Sequence, residues 1–160
     1  MLILKTYQKE KVQELKNTFV KLLNHKKSSS IVFEAPTWSW KTIIMQEFLK
    51  QISQIPLTKK LAFVWISVND LSLQSKESFE KNLDWTKLIF SQLSNIKDKS
   101  LKQNEILFIN WEKIKSKDSK TWEWKVLSMK DNEKDENIPT YMENTRNNDI
   151  QIVLIIDESH

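Results

Sequence analysis

Unbroken apolar runs alternate along this chain with segments in which apolar residues recur every three or four positions. A strand that is buried on both faces reads as an unbroken apolar run, whereas a surface helix carries its apolar residues on one stripe. Strands and helices that alternate in this way form a mainly parallel sheet with helices on both faces. The sequence therefore predicts an α/β fold with three layers.

The predicted elements follow from these two patterns. Strands are predicted at 31–35, 61–68, 87–90, 106–110 and 150–157, and helices at 5–24, 41–53 and 70–82. The segment 115–149 is instead dense in Lys, Asp, Glu and Asn and shows little periodicity. We therefore expect this segment to be a long polar insertion or surface loop that is partly disordered.

The amino-acid composition has one abnormal feature, because the chain contains seven tryptophans and no glycine. At an average usage of about 7%, a chain of this length would carry roughly 11 glycines. Glycine is the residue that reaches positive φ in turns at no steric cost. Either this domain makes its turns without glycine, or some positions that are written as another amino acid are glycine.

Basic residues slightly outnumber acidic ones, with 25 Lys and Arg against 21 Asp and Glu and a formal net charge of +4. This charge permits nucleic-acid binding but does not require it. Arg146 is the only arginine. Since arginine makes the bidentate contacts that read guanine, we expect no sequence-specific base readout from this segment.

The chain also lacks cysteine. This excludes a disulfide scaffold, a zinc site built on cysteine and a cysteine nucleophile. No apolar run reaches the roughly 18 residues of a transmembrane helix, and the N-terminus has no cleavable signal pattern. We therefore expect a cytoplasmic protein without membrane attachment.

The segment from Glu34 to Thr42 reads E-A-P-T-W-S-W-K-T and lies between a predicted strand and a predicted helix. This is the context of a phosphate-binding loop, whose backbone N–H groups wrap the phosphates at a helix N-terminus. Lys41 would lie on the phosphates, and the Thr42 hydroxyl would bind Mg²⁺. Because the backbone itself must approach the phosphates, glycine is needed where Trp38 and Trp40 stand.

The pattern A-P-T-x-S-x-K-T resembles the first motif of superfamily 2 helicases and translocases, in which both x positions are glycine. We hypothesise that UGA codons that encode glycine were read here as tryptophan, since UGA has both meanings in variant genetic codes. The alternative is a genuine glycine-free domain with a degenerate loop, in which two indoles block the phosphates. The resemblance implies an ATP site built from Pro36, Thr37, Trp38, Ser39, Trp40, Lys41 and Thr42.

The second motif is Asp157-Glu158-Ser159-His160, which follows the predicted strand at 150–157. It resembles the D-E-x-H form of motif II in the same superfamily. Asp157 would hold Mg²⁺ through its carboxylate, and Glu158 would orient and deprotonate the attacking water. The alternative for both carboxylates is a solvated strand end. We expect the loop at 35–42 and the acidic pair at 157–158 to meet at the carboxyl edge of the sheet.

Two weaker matches extend the resemblance. Gln8 resembles the upstream glutamine that reads adenine in many such motors, because its amide offers both an acceptor and a donor; the alternative is an exposed helix glutamine. The run from Trp65 to Ser75 resembles the motif Ia region, which lies along the nucleic-acid backbone. Together with the run F-I-N-W-E-K-I at 108–114, it resembles the restriction subunit of type III restriction enzymes. The residues that could bond phosphates, or merely cap a helix, are Ser67, Asn69, Gln74 and Ser75.

The resemblance implies a P-loop NTPase fold of the RecA-like type and an ATP hydrolase that uses ATP and Mg²⁺. It implies the ATP-binding part of a DEAD/DEAH-like DNA helicase or translocase, with Lys41 and Glu158 as catalytic residues. DNA and a methyltransferase or specificity subunit are the implied partners. The chain ends at motif II, so we expect residues 1–160 to be a partial N-terminal domain, inactive as written and without a second RecA-like domain. The alternatives are a non-catalytic remnant or another P-loop protein such as a nucleotide kinase.

Overall fold

The computed structural model describes residues 3–25, 28–34, 40–68, 71–83, 86–111, 115–117, 124–126 and 138–157. Within these residues the chain is an α/β protein with a four-stranded, all-parallel sheet, which confirms the predicted fold class. The chain divides into two compact units, Met1–Ile55 with Lys81–Lys87 and Pro56–Glu80 with Leu88–His160. We call them the helical unit and the sheet unit.

The helical unit is built from α1, Thr6–Leu23, and α2, Trp40–Gln54. Each helix buries one stripe, as the three- and four-residue spacing of its apolar residues predicts. The rings of Phe19 and Phe48 meet edge to face between the two helices, with centroids 5.4 Å apart. The buried stripes consist of Val12, Leu15, Phe19 and Leu23 on α1 and of Ile44, Phe48, Leu49 and Ile52 on α2.

The strands of the main sheet in the sheet unit are β1, Lys60–Ser67; β2, Ile89–Ser91; β3, Glu105–Asn110; and β6, Ile150–Asp157. Their order in the sheet is β2-β3-β1-β6. Every neighbouring pair is parallel, and β1 is paired on both sides and is buried along nearly its whole length. A separate antiparallel pair joins β4, Lys115–Lys117, to β5, Trp124–Val126, and the remaining helices are α3, Leu71–Asn82, and α4, Ile138–Asn147, beside a short 3₁₀ turn, Leu93–Asn95.

Helices cover both faces of the sheet within this unit. On one face the Trp65 ring contacts Phe79 of α3, at a centroid distance of 5.1 Å, and lies 6.2 Å from Phe108. On the opposite face a buried cluster joins strand residues such as Val64 to Tyr141 of α4. This arrangement of helix, sheet and helix is the three-layer architecture that the alternating pattern predicted.

The predicted strand at 31–35 is wrong for residues 31–34, which are described and form no strand. Val32 is 85% exposed, and Ala35 lies outside the described residues. A strand exists only where its backbone groups pair with a neighbour, and an apolar run cannot show whether that neighbour is in place.

The prediction of a surface loop over 115–149 is wrong for three described parts of this segment. Residues 115–117 and 124–126 pair as β4 and β5, and residues 138–147 form α4. One stripe of this helix is buried against the sheet. Thr145 anchors the helix further, since its hydroxyl accepts the backbone N–H of Leu101 at 2.8 Å and donates to the carbonyl of Tyr141. Because most residues on the outer side of α4 are polar, the composition of this segment does not indicate a buried helix.

Three described residues occupy the left-handed region without being glycine: Lys99, Asn104 and Asp149. Asn and Asp tolerate this region better than other residues with a side chain. Trp40 begins α2 with a helical backbone, so any need for glycine at that position comes from close approach to a ligand. None of the helices among the described residues is both long and apolar enough to cross a bilayer.

Candidate nucleotide-binding site

The start of α2 carries the last three residues of the predicted phosphate-binding loop, Trp40, Lys41 and Thr42. Lys41 and Thr42 lie in the first turn of this helix, and both are half-buried. The first-turn N–H groups of a helix lack intrahelical acceptors, and the helix dipole favours an anion there. The rest of the loop, from Ala35 to Ser39, lies outside the described residues. The wrapping of phosphates by this loop therefore stays a prediction.

Gln8 is buried in the first turns of α1 and is only 1% exposed. Its Oε1 accepts the backbone N–H of Lys5 at 2.8 Å, which satisfies one backbone donor at the helix start. Its Nε2 is buried without a hydrogen-bond partner among the described residues. The alternative of an exposed helix glutamine is therefore wrong. A buried amide donor without an acceptor is costly, by about 1–3 kcal/mol, and a ligand acceptor would relieve that cost.

The carboxyl end of the sheet carries a row of polar side chains on three adjacent strands. Asp157 is the last residue of β6, and Ser67, the last residue of β1, is its register partner. Ser67 is also the register partner of Asn110, the last residue of β3. We call Asn110, Ser67 and Asp157 the carboxyl-end row. Ligands of open α/β sheets bind beyond the carboxyl ends of the strands, where this row lies.

The residues of the carboxyl-end row differ in their hydrogen bonding. The Ser72 hydroxyl, in the first turn of α3, donates to the Oδ1 of Asn110 and so ties this helix to the end of β3. The Ser67 hydroxyl is buried, and it has no hydrogen-bond partner among the described residues. Glu158, Ser159 and His160 lie outside the described residues, so their predicted roles stay predictions.

The four residues predicted to contact nucleic acid differ in exposure. Gln74 lies on the exposed side of α3, whereas Ser67 is 1% and Ser75 is 9% exposed. Asn69 lies outside the described residues. Within the part of this set that the structure describes, Gln74 alone offers an accessible hydrogen-bonding group.

The charged donors of the described residues do not form a protein cage for a metal. No group of three or more His, Cys, Asp or Glu side chains comes together among them. Mg²⁺ commonly keeps several waters and is held by one or two carboxylates together with substrate phosphates. A single carboxylate at a strand end, as Asp157 provides, fits a Mg²⁺ that arrives with nucleotide phosphates. Lys41 and Asp157 belong to different units, and their expected meeting stays a prediction.

The opposite end of the sheet holds an open hollow lined by Lys59, Lys60, Arg146 and Asp149. Arg146 lies in the last turn of α4, close to the point where β6 begins. A parallel strand rises about 3.3 Å per residue, so the two ends of β6 are roughly 23 Å apart. The only arginine of the chain is therefore at the wrong end of the sheet to act beside Asp157.

Comparison with known proteins gives one finding. A family model described as "Type III restriction enzyme, res subunit" matches residues 1–160. No curated protein and no solved structure gives a significant match to the chain. The matched range includes both the loop at 35–42 and the acidic pair at 157–158, on which the resemblance depends.

Proposed function

The chain belongs to the type III restriction enzyme res subunit family, as a helicase-like ATP-binding domain of superfamily 2, and we propose that it is the ATP-binding part of an ATP-dependent DNA translocase. The observation that carries this proposal is the placement of Asp157 in the carboxyl-end row of a parallel sheet. That is where a P-loop motor needs a carboxylate, and the family generally uses ATP and Mg²⁺.

The proposed chemistry is attack of a water molecule on the γ-phosphate of ATP, which releases ADP and phosphate. Lys41 holds the phosphates as a point charge, and Glu158 orients the water and accepts its proton. The Thr42 hydroxyl and the Asp157 carboxylate are the proposed ligands of Mg²⁺. When bound there, Mg²⁺ would neutralise part of the negative charge that develops on the phosphates.

The loop residues Pro36, Thr37 and Ser39 complete the proposed phosphate site together with positions 38 and 40. We propose glycine as the functional residue at both positions, since an indole at either one occupies the space that phosphates need. The chain with Trp38 and Trp40 is then a poor ATP binder. In this proposal the steric demand of the ligand, more than the φ angle of the residue, is the reason for glycine at position 40, where α2 begins.

Adenine recognition is assigned to Gln8. Its buried Nε2 has a hydrogen to donate, and its Oε1 keeps one lone pair beyond the bond from Lys5. A donor and an acceptor on one planar amide match the edge of adenine, which presents an acceptor beside an amino group.

DNA is the proposed nucleic-acid partner, contacted through its backbone by residues of the segment 69–75. The exposed Gln74 supports this part of the proposal. The family also implies a modification subunit with methyltransferase activity as a protein partner. With Arg146 at the opposite end of the sheet, contacts from this segment are to phosphates and carry no base specificity.

The test uses the 1–160 chain carrying Trp38→Gly and Trp40→Gly. Isothermal titration measures its equilibrium binding of ATP with Mg²⁺. Lys41→Ala in that background is the matched control, because it removes the positive charge that holds the phosphates and leaves the helix intact. We expect saturable binding that the control loses. Binding of equal strength in both would show that the site is elsewhere and would contradict the proposal.

A further inference from the structure

Ser67 carries a buried hydroxyl that forms no hydrogen bond to any described residue. It is 1% exposed, so the hydroxyl also has no access to water in this structure. Buried polar groups in proteins are nearly always paired, and an exception calls for an explanation such as a ligand-bound state. The structure shows two polar residues beside it by register, Asn110 on β3 and Asp157 on β6.

The alternation of side chains along the strands places these three residues on one face of the sheet. Trp65 and Phe108 are register partners, and both rings contact Phe79 of α3. Ser67 and Asn110 follow them by two positions and therefore point to the same face. Asp157 is in register with Ser67, about 4.8 Å away across the strand spacing, and shares this face.

The two neighbours of Ser67 are not equivalent as acceptors. The Oδ1 of Asn110 already accepts the hydroxyl of Ser72. The carboxylate of Asp157 has two oxygens with four lone-pair sites and a negative charge, and hydrogen bonds to charged acceptors are about twice as strong as neutral ones. Asp157 is therefore the stronger acceptor for the Ser67 hydroxyl once a change of side-chain rotamer brings the two groups together.

We propose that Ser67 is a positioning residue, which in the nucleotide-bound state donates its hydroxyl hydrogen to one oxygen of the Asp157 carboxylate and leaves the other oxygen for Mg²⁺. The inference rests on the proposed function, because it uses Asp157 as a metal ligand. Hydrogen bonds to a ligating carboxylate fix its orientation and raise the affinity of the site for the metal. This role replaces the contact with nucleic acid that the sequence predicted for Ser67, since a buried hydroxyl does not reach a phosphate backbone.

The test uses the 1–160 chain with Trp38→Gly and Trp40→Gly and the non-hydrolysable analogue adenylyl imidodiphosphate. Its dissociation constant is measured with Mg²⁺ and again with EDTA for Ser67→Ala, Ser67→Cys and Ser67→Thr. Ser91→Ala is the matched control, because Ser91 is also a buried serine at the end of a strand, but its hydroxyl is bonded to Glu105. Thermal unfolding without nucleotide is followed by circular dichroism for every variant.

We expect Ser67→Ala and Ser67→Cys to bind the ATP analogue about tenfold more weakly in the presence of Mg²⁺. This is the lower end of the roughly 10–100-fold loss that follows removal of a group that supports a metal ligand. Affinity in EDTA should stay unchanged, Ser67→Thr should restore most of the loss, and Ser91→Ala should leave the Mg²⁺ effect intact. Ser67→Ala should not lower the unfolding temperature, because the hydroxyl has no partner to lose in the nucleotide-free protein.

Equal affinities of Ser67→Ala and its parent with Mg²⁺ would overturn the inference and leave the proposed function standing. A marked fall in the unfolding temperature of Ser67→Ala would also overturn it, since the hydroxyl would then have a structural partner. If the parent chain binds no nucleotide, the proposed function fails and the inference fails with it. Nucleotide binding by the parent chain thus distinguishes failure of the proposed function from failure of the inference about Ser67 alone.

Discussion

Ser67 and Asp157 are register partners at the carboxyl ends of the adjacent parallel strands β1 and β6. The pairing runs without interruption from Lys60 opposite Ile150 to this last pair, so the two side chains are held by the whole length of both strands. A one-residue slip would turn Asp157 to the other face of the sheet. The register, and not the proximity of the two residues in sequence, places a hydroxyl beside the carboxylate.

The first prediction concerns the tryptophans of the loop. Replacement of both Trp38 and Trp40 by Gly should strengthen binding of ATP with Mg²⁺, because the backbone can then approach the phosphates. Isothermal titration of the two chains measures the difference, after circular dichroism has shown that both fold. Equal affinities would argue against glycine as the functional residue.

The matched control for this prediction is Trp65→Gly. Trp65 is 1% exposed and packs against Phe79 and Phe108. Loss of a buried tryptophan side chain costs about 3–5 kcal/mol even as alanine, and glycine in a strand adds to the cost. We therefore expect Trp65→Gly to unfold the sheet unit in denaturant titrations that leave the double loop variant folded. A tolerated Trp65→Gly would show that this position is also not a true tryptophan.

The second prediction concerns turnover. The 1–160 chain with glycine at positions 38 and 40 should hydrolyse ATP slowly, because Arg146 lies at the opposite end of the sheet from Asp157. An arginine that stabilises the transferred phosphoryl group is worth about 10³–10⁵ in rate. Phosphate release with and without duplex DNA is the measurement, and Arg146→Ala should leave the rate unchanged. A DNA-stimulated rate near the roughly 10 s⁻¹ typical of enzymes would contradict this prediction.

The third prediction concerns Gln8. Gln8→Met keeps the volume of the side chain and removes both polar atoms, so it should reduce the preference for ATP over GTP in the glycine-restored chain. Stability should change by less than about 2 kcal/mol, because the N–H of Lys5 at the start of α1 loses its acceptor while the buried Nε2 that has no partner is removed as well. Competition binding and thermal unfolding measure the two effects. Gln13→Ala, on the exposed side of the same helix, should change neither the nucleotide preference nor the stability. If Gln8→Met keeps the preference for ATP over GTP, Gln8 does not read adenine.

The fourth prediction concerns the anchoring of α4. Thr145 is fully buried, and its hydroxyl bonds both the N–H of Leu101 and the carbonyl of Tyr141. Thr145→Val keeps the shape and leaves the N–H of Leu101 without an acceptor, which should lower the free energy of unfolding by about 1–3 kcal/mol. Urea titration provides the value, and Glu143→Ala on the exposed side of α4 is the control. A neutral Thr145→Val would mean that this helix is not part of the core.

The helices α1 and α2 could be predicted from the sequence because their apolar residues recur every three or four positions, and the strands β1, β3 and β6 because each is an unbroken apolar run. The run of β6 does not report burial on both faces, since its Leu154 and Ile156 are exposed. The strand at 31–35 could not be excluded, since its apolar run is the same whether or not a neighbouring strand pairs with it. Helix α4 could not be found, because its buried residues, Tyr141 among them, are separated by polar side chains in a segment of polar composition.

The same division holds for the site. The residue types at Lys41, Thr42 and Asp157, and their positions at a helix start and a strand end, are local properties that the sequence by itself determined. The burial of Gln8, its bond to Lys5, and the register that sets Ser67 beside Asp157 were decided only by the tertiary structure. The physical reason is that local periodicity depends on near neighbours in the chain, whereas burial and register depend on which distant segments pack together.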